Sequence, residues 1–262
     1  MAAPKRGRRE TVDALRIAHL FPDLLNLYGD GGNVKCLAKR AEWRGLPVEV
    51  VSVNHGEEID LATIDIVFLG GGPDREQRLA SKQLLRMRDA LKQYVEADGV
   101  LLAICGGYQI LGNEWLLGDE SVEGLGIVDM VTKRVEAGPD RLIDNIVLRS
   151  PLADRPVVGY ENHAGRTFLG QGLAPFGTVV SPMGHGNNDA DKVDGVRYRN
   201  VVGTYLHGPL LGKNPEVADW LIGRAFETRA SCAGASVEPL GALDDSVEIA
   251  ANEYMVKRLG TR

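Results

Sequence analysis

Residues 103–109, AICGGYQ, have the composition of a nucleophile set on a sharp strand-to-helix turn. Such a turn crowds the positions two before and two after the nucleophile, so both must be small. Here they are Ala103 and Gly107, with Gly106 directly after Cys105. A helix N-terminus and a nearby imidazolium both favour a thiolate, lowering a cysteine pKa below its free value of about 8.5. A thiolate in this place can attack an amide carbonyl, and main-chain N–H groups of the turn can hold the oxyanion. A strand-ending cysteine is otherwise a buried, inert residue. The flanking glycines and the polar Tyr108 and Gln109 argue against that reading, and Gln109 is a candidate to touch the substrate.

The base must come from elsewhere in the chain. GTYLHGPLL, 203–211, puts His207 after an apolar, strand-like run and before Gly-Pro, at a strand end facing a loop. His19, His55, His163 and His185 compete on residue type, with His163 in YENHAGRT and His185 in GHGNND the strongest rivals. A third signal is GGGPDRE, 70–76. Glycines after a buried strand allow close approach, so the N–H groups of Gly71 and Gly72 are expected to face a substrate oxygen. No Gly-Lys-Ser/Thr follows, so the loop is not a P-loop.

The elements that must position these residues alternate along the first half. Residues 15–21, 47–53, 64–72 and 99–105 read as strands. A helix capped by Asn33 is expected to run to about Gly45, and another carries Leu84, Met87, Leu91 and Val95 on one face. This order predicts βαβ units and a parallel sheet. From about residue 120 shorter β-like runs take over, at 124–135, 143–149, 156–160, 177–181 and 195–206, followed by a helix at 215–227. The fold expected is α/β: a mostly parallel central sheet flanked by helices, with a more antiparallel second half. Residues 1–14 read as a disordered basic tail, 15–230 as one domain, and 231–262 as a linker followed by a helix at about 245–259.

A chain of 262 residues, 44% hydrophobic, can bury a full core. Its net charge of −6 argues against nucleic acid or an anionic membrane surface as partner. No apolar run is long enough for a transmembrane segment, and the basic N-terminus lacks the apolar stretch of a signal peptide. Three cysteines, Cys36, Cys105 and Cys232, without metal-ligand spacing, point to free thiols in a reducing cytoplasm.

AICGGYQ, GGGPDRE and TYLHGPLL, in this order and separation, resemble the class I (Triad-type) glutamine amidotransferases, in the branch that includes cobyric acid synthase. NLYGDGGN (26–33), GGGPDREQ (70–77), CGGYQILG (105–112), YENHAGRT (160–167), GHGNNDADK (184–192) and GTYLHGPLL (203–211) resemble more closely the GatD-type glutaminase subunits of lipid II isoglutaminyl synthase. The resemblance spans about residues 15–230. It implies Cys105 as nucleophile, His207 as base and L-glutamine as substrate, with Arg141 in PDRLIDNIV holding its α-carboxylate. A guanidinium suits that task because it pairs with a carboxylate through two parallel hydrogen bonds.

The resemblance also implies a heterodimer. The partner is a Mur-ligase-like, MurT-type subunit that uses ATP and Mg2+, reaches lipid II, and amidates the α-carboxyl of D-glutamate with the ammonia released here. No cofactor or metal is expected in this chain. Two other readings compete. One is the glutaminase part of a cobalamin-pathway amidotransferase, whose usual N-terminal synthetase domain has no room before residue 15. The other is an idle regulatory subunit, against which the intact Cys105 and His207 count. Many class I enzymes have a glutamate two residues after the histidine, where this chain has Pro209. The partner that orients His207 is therefore open: none at all, or a residue such as Glu161 or Asp189.

Overall fold

The computed structural model describes residues 14–117, 120–134, 140–236 and 238–260; the expected basic tail lies almost wholly outside them. The first half runs β1 (Leu15–Leu20), α1 (Gly31–Glu42), β2 (Val48–Val53), β3 (Ile66–Leu69), α2 (Asp74–Arg86), α3 (Arg88–Glu96), β4 (Val100–Ile104) and the single turn α4 (Gly106–Gln109). β3 and β4 are buried at every residue, as their unbroken apolar sequences require of strands covered on both faces. In α1, Val34, Leu37, Ala38 and Ala41 recur at helical spacing and all face inward.

The second half is richer in strands: β5 (Glu114–Leu117), β6 (Glu120–Glu123), β7 (Met130–Lys133), β8 (Leu142–Arg149), β9 (Val157–His163), β10 (Arg166–Leu169), β11 (Gly177–Val179), β12 (Val193–Asp194), β13 (Val196–Tyr198) and β14 (Val201–Thr204). Two helices close the chain, α5 (Pro215–Ala233) and α6 (Ser246–Arg258). The main sheet has the order β13-β14-β4-β3-β1-β2 and is parallel except at β13–β14. Two smaller sheets, β10-β7-β5-β6 and β12-β11-β8-β9, pair antiparallel except at β5–β7. The expected α/β architecture with a more antiparallel second half is what the chain adopts. Four adjacent parallel strands, β14, β4, β3 and β1, therefore present their C-terminal ends side by side, where open α/β sheets place their ligands.

Several local expectations change. The helix expected around 84–95 is two helices, broken at Met87, whose ψ of 1° leaves the helical range. Asn33 does not cap α1. It lies inside the helix and its Oδ1 accepts from Leu211 N at 2.9 Å, while Asn26 Oδ1 takes the Gly31 N–H at 2.8 Å. The hairpin β5–β6 and the strand β10 were not expected. α5 runs six residues beyond 227, through Cys232, and ends with Gly234 in the left-handed conformation that stops helices.

α6 is docked. Arg40, 1% exposed on α1, makes paired contacts with Asp219 on α5 and with Asp245 at the start of α6, at 2.5–3.0 Å. Asn252 Nδ2 donates to Pro156 O and Lys213 O. Among the described residues no helix is long and apolar enough to cross a membrane.

Candidate active site

Cys105 follows β4 directly, and its N–H continues the strand ladder to Thr204 O of β14 at 2.9 Å. Its φ of +51° puts a non-glycine residue in the left-handed region, the strained geometry of a nucleophile elbow. Gly107 makes this possible, because a Cβ there would lie 2.6 Å from Leu69 O and 2.7 Å from Gly70 O. The elbow therefore presses against the end of β3. Gly71, in the loop after β3, is as close: a Cβ on it would lie 3.0 Å from Cys105 Cβ and 3.5 Å from His207 Cε1.

His207 follows β14 and is 1% exposed. Its main chain is pinned to Tyr160 of β9, donating to Tyr160 O at 2.8 Å and accepting from Tyr160 N at 3.2 Å. Its Nδ1 meets Asp30 Oδ1 at 2.9 Å. Its Nε2 has no conventional hydrogen-bond partner and is left to interact with Cys105. Burial alone would make the ring less basic. The Asp30 carboxylate and the Cys105 sulfur outweigh it and push the His207 pKa up to about 10. An imidazolium held beside the sulfur is the charge arrangement that activates a cysteine nucleophile.

Asp30 is the residue that sequence reasoning missed. It stands at the N-terminus of α1, fully buried, with Oδ1 on His207 and Oδ2 accepting from Gly71 N at 3.1 Å. Glu161 and Asp189 do not take this place. The Glu161 carboxylate accepts from the N–H groups of His185 and Gly186 at 2.7 and 2.8 Å, and Asp189 pairs with His185 Nδ1 at 2.9 Å. His185 is thus taken by Asp189, and His163, which lines the same cleft as Cys105, is held in other contacts. His163 stacks on Tyr205 at 3.5 Å with Nδ1 against Gly165 O, and burial lowers its pKa.

Because the Gly71 N–H holds Asp30, it is not free for a substrate oxygen. The donors that remain are Gly72, which lines the cleft, and Gly106, first in a helix whose opening N–H groups lack intrahelical acceptors.

Cys105 opens onto a cleft of about 610 Å³ lined also by Gln77, Gln109, Tyr28, Asn162 and Arg141. Arg141 Nε donates to Asn162 Oδ1 at 2.7 Å and its Nη2 to Asn162 O at 3.0 Å, which holds one side of the planar fork. Gln109 is buried, its Nε2 donating to Tyr205 Oη at 3.0 Å. Thus Cys105, Gln109, Gly72 and Arg141 share one cleft, and His207 abuts Cys105 from behind.

Residues 16–215 match the CobB/CobQ-like glutamine amidotransferase domain. The chain belongs to this family. It is 43% identical, over 93% of its length and 96% of the other's, to the Staphylococcus aureus protein named lipid II isoglutaminyl synthase (glutamine-hydrolyzing) subunit GatD. The protein of the same name from Streptococcus pneumoniae is 39% identical over 82% of each chain. A cobyric acid synthase from Listeria innocua is 30% identical over 57% of this chain, which spans 29% of that protein. Among solved structures, a glutamine amidotransferase superposes with a TM-score of 0.51 at 16% identity, over 80% of this chain and 98% of the other. The glutaminase domain of Trypanosoma brucei CTPS with bound acivicin reaches 0.50 at 13%, over 86% and 96%. These two likenesses speak to the fold.

For an amidotransferase of this family the three thiols are unequal. Cys36 is half-buried in α1, where burial pushes its pKa up to about 11, and Cys232 is exposed near the end of α5. The glutamine analogue 6-diazo-5-oxonorleucine is expected to label Cys105 and spare both others. Peptide mapping checks this, and a label that persists in Cys105→Ala would overturn the assignment.

Proposed function

We propose that this chain is the glutaminase subunit of a lipid II isoglutaminyl synthase, converting L-glutamine and water to glutamate and ammonia. The Cys105–His207–Asp30 line beside Arg141 carries the reading, in a chain aligned over nearly its whole length with named GatD subunits. The Cys105 thiolate attacks the side-chain amide carbon, and the oxyanion is held by the N–H groups of Gly72 and Gly106. The His207 imidazolium gives its proton to the departing nitrogen, so ammonia leaves and a γ-glutamyl thioester remains. Neutral His207 then takes a proton from water, which attacks the thioester; glutamate forms and the thiolate returns. Asp30 keeps the imidazole oriented through both halves.

Arg141 holds the α-carboxylate and does no chemistry in this scheme. Arg141→Lys keeps the charge and loses the fork, so KM for glutamine is expected to rise about tenfold with kcat little changed, and Arg141→Ala to be worse. Steady-state kinetics check it; an unchanged KM in Arg141→Ala would put the carboxylate elsewhere.

The ammonia serves, in this proposal, a Mur-ligase-like, MurT-type partner in a cytoplasmic heterodimer. The partner supplies the ATP and Mg2+ chemistry and amidates the D-glutamate α-carboxyl of lipid II; this chain itself needs no cofactor. The shorter alignment with cobyric acid synthase gives the cobalamin reading less support. The copurified complex, given ATP, Mg2+, lipid II and glutamine labelled with 15N in the side-chain amide, is expected to yield lipid II carrying 15N in D-isoglutamine. Release of labelled ammonia without labelled lipid II would leave a glutaminase and remove the acceptor from the proposal.

A further inference from the structure

One residue of the NLYGDGGN segment, Tyr28, has no part in the scheme above. Its main chain stands at φ 54°, ψ 22°, a left-handed conformation that a bulky side chain adopts where its surroundings enforce it. The ring packs edge to face against His207, with centroids 4.9 Å apart, and against Tyr160 at 5.9 Å. The Tyr28 hydroxyl accepts from Asn162 Nδ2 at 2.7 Å, and the same nitrogen reaches the Tyr160 hydroxyl at a longer 3.3 Å. Asn162 in turn holds Arg141 through Oδ1 and its main-chain oxygen. Arg141 offers donors only, so it needs the Asn162 oxygen turned toward it. With Oδ1 facing Arg141, Nδ2 faces Tyr28, and the short bond to the Tyr28 hydroxyl tethers the amide so oriented.

We propose that Tyr28 is a positioning residue for the substrate. Through Asn162 it fixes Arg141, and so sets the span from the α-carboxylate anchor to Cys105 that selects glutamine over asparagine, shorter by one methylene. This rests on the glutaminase reading and on Arg141 as the anchor. Tyr28 lines the cleft and its ring packs on His207, while its hydroxyl acts on substrate binding through Asn162.

Tyr28→Phe keeps the ring and removes the hydroxyl. KM for glutamine is expected to rise about three- to tenfold, the loss of one neutral hydrogen bond, with kcat within about twofold of wild type. Asn162→Ala should move KM the same way, and the double variant should be no worse than the worse single, because both cut one chain of contacts. The preference for glutamine over asparagine should narrow in each. An unchanged KM in Tyr28→Phe, or single effects that multiply in the double variant, would overturn the inference while leaving a labelled, glutamine-hydrolysing wild type intact. A wild-type complex that neither hydrolyses glutamine nor reacts with 6-diazo-5-oxonorleucine at Cys105 would overturn the glutaminase reading and this inference together.

Discussion

Asp30→Asn is expected to lower kcat for glutamine hydrolysis by at least about a hundredfold, with KM close to wild type. The size follows from how Asp30 is held. Gly71 N–H donates to one carboxylate oxygen and His207 Nδ1 meets the other. In the asparagine variant the amide oxygen stays with Gly71, so the amide nitrogen faces His207. Two donors cannot share that contact, so Nδ1 must give up its proton and the ring carries its proton on Nε2. A neutral ring in that tautomer cannot accept the Cys105 proton. A variant that retained more than about a tenth of wild-type kcat would show that His207 works without Asp30.

The same substitution has a pH signature in stability. The folded pKa of His207 is raised from 6.5 to about 10 by Asp30 and the Cys105 sulfur together, so the stabilisation these partners give the imidazolium is fully present below about pH 6.5 and is lost as pH rises through 10. The gap in urea midpoint between wild type and Asp30→Asn should therefore be largest near pH 6 and shrink toward pH 10. A gap that widened with pH would reverse the assignment of charge within the pair.

The second large effect is expected from Cys105→Ala in the ligase complex. Glutamine-dependent amidation of lipid II should fall to background, because no other thiol lines the cleft and no thioester can form. High concentrations of ammonium chloride at mildly alkaline pH should restore part of the product, since free ammonia then bypasses this subunit. Mass spectrometry of the lipid product separates the outcomes. Normal amidation from glutamine in Cys105→Ala would remove this chain as the ammonia source. Failure of rescue with an intact complex would mean that the acceptor site takes ammonia only from within.

What the sequence disclosed and what it hid divide along physical lines. β3 and β4 were legible because strands buried on both faces need unbroken apolar runs, and the elbow because small residues at 103 and 107 around Cys105 are what a tight nucleophile turn requires. The short hairpin β5–β6 and strand β10 were not, because edge and surface strands carry mixed sequences whose pairing is decided by tertiary partners. Asp30 was hidden for another reason. Its segment reads as a polar glycine turn, and nothing local marks an aspartate that meets a histidine 177 residues away. The available signal was positional: an acidic residue in the segment joining β1, a neighbour of β3, to α1, in a sheet whose strand ends must carry the site. Asn33 misled in a related way, since its cap-like side chain serves the main chain at Leu211 and not its own helix.

The loops that carry Asp30, Gly72, Cys105 and His207 leave β1, β3, β4 and β14, and the last of these strands is also the last inserted into the sheet in chain order. A nascent chain emerging from the ribosome therefore exposes Cys105 well before the imidazole that is to take its proton exists in place. Until β14 lies beside β4 the thiol has no base and no oriented substrate pocket. Reactivity toward a glutamine-like electrophile is thus a gauge of completed assembly.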